Sequence, residues 1–170
     1  MSRKVKEEIA ASVQGFRLPR YQEIPEVGLY LEQVAEYISE YLMPLGDIAL
    51  TGSMISNYVK KGLVTNPIKK QYNRDQIAYL FFIAVAKMVL SMEDIRLLVE
   101  LQKKTYQPQV AYDYFCLEFE NVIQYVFGRK ESLDVIGVDD TDEKSMLRNT
   151  IITVAHKVYL DKFFEGIREV

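Results

Sequence analysis

From Ile77 to Leu90 the chain runs IAYLFFIAVAKMVL. A helix over this run carries apolar side chains nearly all round instead of along one stripe. Such a helix is stable only when other elements cover it on every side. The run is too short for the roughly 20 residues that a membrane span needs. It therefore predicts the buried centre of a helical domain, and the other segments have to supply its cover. Asn73 with Gln76 has the form of a capping box and opens the helix.

The remaining segments supply amphipathic partners. Val27, Tyr30, Leu31, Val34, Tyr37, Ile38, Tyr41 and Leu42 follow the three–four spacing of one helical face, which Pro44 and Gly46 end. Thr51 suits the N-cap of a short helix through Lys61, with Met54, Ile55, Tyr58 and Val59 inward and Gly62 as its left-handed terminus. Leu63-Val64, an Asn66-Pro67 turn and Ile68 to Tyr72 predict a small β-hairpin, or wing. Ser91 with Asp94 opens another helix. After Pro108, Val110, Tyr114, Phe115, Phe119, Val122 and Val126 line a long helix stopped by Gly128. Thr141 caps a last helix carrying Leu147, Ile151, Val154, Val158, Phe163 and Phe164. Before Val27, a weakly helical start and the segment LPRYQEIP give an N-terminal arm and an extended connector.

Charge is distributed unevenly. The whole chain carries −3, yet Thr51 to Arg74 holds five cations (Lys60, Lys61, Lys69, Lys70, Arg74) and no acid. Glu131 to Glu143 concentrates six acids. A local basic patch on an acidic protein can meet a polyanion with one face while the others repel it. Other chemistries lack their residues. Cys116 and His156 are the only thiol and imidazole, too few for a metal site or a Cys–His nucleophile. No glycine-rich phosphate loop is present, and the acids around Asp139 do not have EF-hand spacing. No enzyme and no cofactor is implied. MSRKVKEEIAAS lacks the apolar centre of a signal peptide, and a single cysteine cannot form an internal disulfide, so a cytoplasmic setting is expected.

Helix, turn, short helix, wing, buried helix: this order is that of a winged helix-turn-helix. NYVKKGLV, the basic hairpin and YNRDQIAYLFFIAVAKMVLSMEDIRLLVE resemble the DNA-binding domain of MerR-type regulators over about residues 50–102, through Tyr58, Gly62-Leu63, Tyr72 to Ile77 and Leu90 to Ile95. Ser56-Asn57-Tyr58 stands where those regulators usually carry Arg-Tyr-Tyr. LPRYQEIPEVGLYLEQV, SMISNYVKKGLV and IKKQYNRDQIAYL more closely resemble a bacterial family of unknown function, DUF1836, over about residues 16–104.

Together these features predict an all-α protein with a small β-hairpin wing. Residues 1–26 form the arm and connector, 27–104 the MerR-like winged helix-turn-helix, and 105–170 a helical dimerisation or effector region. The expected DNA-binding set is Ser53, Ser56 and Asn57 for base edges or phosphates, Tyr58 and Tyr72 at its edge, and Lys60, Lys61, Lys69, Lys70 and Arg74 for phosphates. The aromatic residues Tyr106, Tyr112, Tyr114, Phe115, Phe119, Tyr125 and Phe127 suit a homodimer seam first and a small-molecule effector pocket second. The expected partners are double-stranded DNA and a second copy of the chain, with no membrane. The rival expectation is a winged helix used for protein–protein interaction.

Overall fold

The structure is a computed structural model and describes residues 2–169. Its helices are α1 (Ser2–Ser12), α2 (Leu31–Leu42), α3 (Gly52–Lys60), α4 (Arg74–Ala86), α5 (Met92–Thr105), α6 (Pro108–Val126) and α7 (Asp142–Arg168). Two short strands, β1 (Leu29–Tyr30) and β2 (Gln71–Tyr72), pair antiparallel. The protein is mainly helical with this one small sheet among the described residues. Among the described residues no helix is long and apolar enough to cross a membrane.

The apolar run is the centre of the fold. Ile77, Leu80, Phe81, Ile83, Ala84 and Ala86 of α4 are fully buried. Helices α2, α6 and α7 pack against it. An aromatic chain crosses it: Tyr37 and Tyr41 of α2 meet Phe81, Phe81 meets Tyr112 of α6, and Phe115 and Phe119 continue to Phe16. Tyr112, Phe115, Phe119 and Phe127 are therefore spent in the core of one chain. The expected caps form: Asn73 and Gln76 exchange hydrogen bonds of 2.7 and 2.9 Å, and Thr51, Ser91 and Thr141 each accept from the backbone three residues on.

The N-terminal segment is packed into the same core. Val5 and Ile9 of α1 and Val13 just after it are buried, and α1 lies against α7. Residues 17–24 then cross α6 as a strap, with Leu18 and Ile24 wholly buried. A buried extended segment needs partners for its backbone groups, and side chains provide them. Glu120 accepts from Leu18 N (3.0 Å) and clamps the Arg20 guanidinium through both oxygens (2.6 and 2.8 Å). The Tyr112 hydroxyl donates to Pro19 O (2.7 Å), and Asp113 accepts from Tyr21 N (2.8 Å).

Three expectations are corrected. The α2 pattern begins at Leu31, not Val27. Val27 is 77% exposed and Tyr30 52% exposed, because the two residues before the helix are drawn into β1 instead. The hairpin does not pair residues 63–64 with 68–72. Gly62 (φ +76°) ends α3 in a Schellman arrangement, with Leu63 N bonding Tyr58 O and Gly62 N bonding Val59 O. Leu63 and Val64 are thereby turned into the core as a plug and are lost to any strand. The turn falls at Lys69-Lys70 instead of Asn66-Pro67, and β2 finds its partner in β1. Val110 and Phe164, expected on buried faces, are 56% and 51% exposed.

Two outcomes test the strap. Glu120→Ala leaves the Leu18 amide and a partly buried Arg20 unpaired, and the expected loss is about 1–3 kcal/mol in denaturant unfolding. Cys116 of α6 lies under the strap, its thiol donating to Pro19 O (3.5 Å), and burial pushes that thiol up to about 12. The native chain is expected to be inert to a thiol reagent at pH 8 and to react once unfolded. Rapid reaction of the native chain would mean that the strap does not seal this site.

Candidate nucleic-acid interface

Helix α3 has two faces of opposite character. Ile55 and Tyr58 are buried, Met54 and Val59 are half-buried, and Leu63 and Val64 close the end. The other face is Ser53, Ser56, Asn57 and Lys60, all exposed and spaced i, i+3, i+4, i+7. They form one polar stripe along the helix. Lys61 follows at the C-cap, exposed, with its carbonyl accepting from Arg96 of α5. At the opposite end, a Cβ on Gly52 would collide with the Glu32 carboxylate and crowd Leu31. Glu32 thus already supplies an anion to the positive end of the α3 dipole. The cationic end of α3 is its C-terminus, at Lys60-Lys61.

The second part is the tip between Ile68 and Gln71. Ile68 N donates to Gln71 O (3.1 Å) and Gln71 N to Ile68 O (3.0 Å), leaving Lys69 and Lys70 as a two-residue loop. Both have positive φ, +51° and +64°. Paired positive φ in a two-residue loop is the type I′ turn, which favours Asn-Gly. A lysine held left-handed costs on the order of 1–2 kcal/mol. Surrounding structure holds this turn in place. Gln76, only 5% exposed, donates to Thr65 O, Thr65 Oγ1 and Asn66 O (3.0, 3.0 and 3.1 Å) and so pins the segment leading into the tip to the first turn of α4. On the outgoing side, β2 is pinned to β1. Gly28 lies so close there that a Cβ would stand 2.8 Å from Gln71 Cβ.

The ten expected contact residues divide accordingly. Ser53, Ser56, Asn57, Lys60, Lys61, Lys69 and Lys70 are exposed, and none of these four lysines is in an ion pair among the described residues. Tyr58 and Tyr72 are only 5% and 4% exposed, and burial raises both phenols above their ordinary pKa. They are core residues that set the position of α3 and β2. Arg74 is turned inward: its Nε donates to Ile24 O (2.9 Å), and its guanidinium stacks 5.5 Å from the centre of the Tyr21 ring. It latches the strap to α4. Sequence spacing missed Gln76 as the anchor of the tip, although the capping box marked it. It also missed the exposed apolar residues Val27, Tyr30 and Ile68 (73% exposed), of which Tyr30 and Ile68 both pair with Gln71 and Val27 precedes β1. Their exposure depends on the β1–β2 pairing, which joins residues far apart in the chain. Among the described residues no cluster of His, Cys, Asp and Glu is suited to a metal ion.

Residues 19–115 match the family described as Domain of unknown function (DUF1836), a span that begins in the strap and ends halfway along α6. No curated protein and no solved structure matches the chain.

If the tip is strained for a reason other than stability, relieving the strain should stabilise the fold. Lys69→Asn/Lys70→Gly is expected to raise unfolding stability by about 1–2 kcal/mol, seen as a higher denaturant midpoint with an unchanged slope. A lower midpoint would show that the lysines themselves hold the turn.

Proposed function

The chain belongs to the DUF1836 family, with the whole of this surface inside the matched span, and we propose that it binds double-stranded DNA as a transcriptional regulator. The observation that carries this reading is the polar stripe of α3. A helix that buries one face and leaves Ser53, Ser56, Asn57 and Lys60 uncovered on the other has the dimensions and chemistry to enter a major groove. Asn57 can give and take the paired hydrogen bonds that adenine offers, while the serines reach either bases or phosphates. Lys60, Lys61, Lys69 and Lys70 then contact the backbone, which positions without specifying. On this reading the arrangement is a MerR-like winged helix-turn-helix whose wing is the Lys69-Lys70 tip. It acts as a homodimer on a two-fold symmetric site, with half-sites about one helical turn apart.

A second reading is favoured by a specific observation. Tyr30 and Ile68, both paired with Gln71, leave exposed apolar surface beside the tip, and Glu32 stands at the start of α3. Apolar surface edged by charge suits a protein partner better than a phosphate backbone.

The two readings part on salt. Four lysines neutralising phosphates give a log–log slope of about −4 per subunit. A protein interface depends on salt far less. The test is retention of a fragmented genomic DNA pool at two salt concentrations, wild type beside Lys69→Glu/Lys70→Glu. The expected result is enrichment of a discrete symmetric site that the double variant loses. No retention even at low salt would sink the DNA reading, and the surface would then serve as bait for a protein.

A further inference from the structure

Away from the α3 surface, α4, α5, α6, the start of α7 and the loop before it form a partly open cavity of about 350 Å³. Its size falls in the range of small-molecule sites and far exceeds an ordinary packing defect. The wall is largely apolar, with the aromatic Phe82, Tyr106, Tyr114 and Phe115 beside aliphatic residues such as Leu98 and Leu147. Small residues make the space: Ala78 of α4 and Ala111 of α6 both face it.

The polar groups at this wall are unbalanced. Asp113, Asp139 and Glu143 border the cavity against a single cation, Lys144. That cation is already committed. Its ammonium donates to Asp139 O (3.0 Å) and Oδ1 (3.3 Å) and lies 5.1 Å from the centre of the Tyr114 ring. Asp113 uses one oxygen on the Tyr21 amide, and Glu143 accepts from the Thr105 hydroxyl (2.8 Å). Even with Lys103, whose ammonium lies over the ring of the wall residue Tyr79, the three carboxylates outnumber the cations at the border. The aromatic ring faces, like this negative border, favour a cation. Lys103 places its ammonium 4.9 Å from the centre of the Tyr79 ring, a second wall residue, so two of the protein's own cations already sit on these ring faces.

We propose that this cavity is a binding site for a small amphipathic cation, an apolar or aromatic body bearing a basic amine. The body fills the space between Phe82, Phe115 and Leu147. The amine is held by ring faces and by the carboxylates of the border, which also exclude organic anions of the same shape. The proposal is independent of DNA binding, because no residue of the α3 stripe or the lysine tip lines the cavity.

Three dansyl probes with a shared fluorophore test it: dansylcadaverine (cationic), dansylamide (neutral) and dansylglycine (anionic). The full chain is titrated with each and the blue-shifted emission is followed. Saturable binding of the cation at least about tenfold tighter than that of the anion, with the neutral probe between, is expected. Ala111→Phe plugs the cavity from α6 and is expected to abolish the signal while circular dichroism and the thermal midpoint are kept. Leu147→Phe plugs it from α7 and gives the same result should the first variant fold poorly. Equal or tighter binding of the neutral or anionic probe would overturn the proposal. So would the absence of saturable binding, or retention of binding in well-folded plugged variants.

Discussion

Helix α4 has no polar face, and the rest of the chain is organised by the need to keep water off it. Burying Phe81 or Leu80 on all sides takes more apolar surface than α2 and α6 alone supply. The chain therefore brings α1, α7 and the strap into the same core. The strap is where this becomes demanding. Extended backbone laid over a hydrophobic core exposes its amides and carbonyls to a medium that cannot solvate them. Leu18 N, Pro19 O, Tyr21 N and Ile24 O each have a side-chain partner, drawn from Glu120, Tyr112, Asp113 and Arg74. Three of these partners sit on α6 and one on α4, so the polar accounting of the strap also fixes those two helices relative to each other.

That fixation gives the α3 surface a rigid base. Tyr58 and Leu63 anchor α3 at its C-terminal end, and Gln76 anchors the chain leading into the lysine tip to the opening turn of α4. A two-lysine left-handed turn persists only where its neighbours over-determine it. Here β1 grips one side and Gln76 the other. Strain of this kind gives nothing to folding, and an Asn-Gly pair would form the same turn at lower cost. The cost is understandable if two adjacent ammonium groups are wanted at that place and on that backbone.

Features set by neighbouring residues were legible in the sequence. The apolar helix, the caps at Thr51, Asn73, Ser91 and Thr141, and the left-handed Gly62 each follow from side chains within four positions of one another. The exposed stripe of α3 follows from the same spacing. Features set by distant partners were not. Leu29 meets Tyr72 across more than forty residues, so Tyr30 reads as helix while the structure makes β1 there and leaves Val27 in the bend before it. Arg74 reads as one more cation of the patch, but Ile24 and Tyr21 claim it through a fold contact that no periodicity records. Tyr58 and Tyr72 read as edge residues because a tyrosine's hydroxyl hides how deeply its ring is sunk. The cavity arises from four helices and a loop, with Ala78 and Ala111 unremarkable until α4 and α6 face each other.

The same helix carries both regions. Gln76 on the first turn of α4, itself bonded to the N-cap Asn73, holds the approach to the lysine tip, and Ala78, Tyr79 and Phe82, within the next two turns, form one wall of the cavity. Tyr79 also donates to Gln102 of α5 (3.0 Å) across that wall. Close-packed interiors deform in steps, not smoothly, so a molecule that spreads α5 from α6 would act on α4 as a rigid body. Such coupling could shift an equilibrium only by the difference in that molecule's affinity for the two arrangements. Much of that difference would have to arise at the α4 wall, because α4 is the element that both the cavity and the anchor of the lysine tip share.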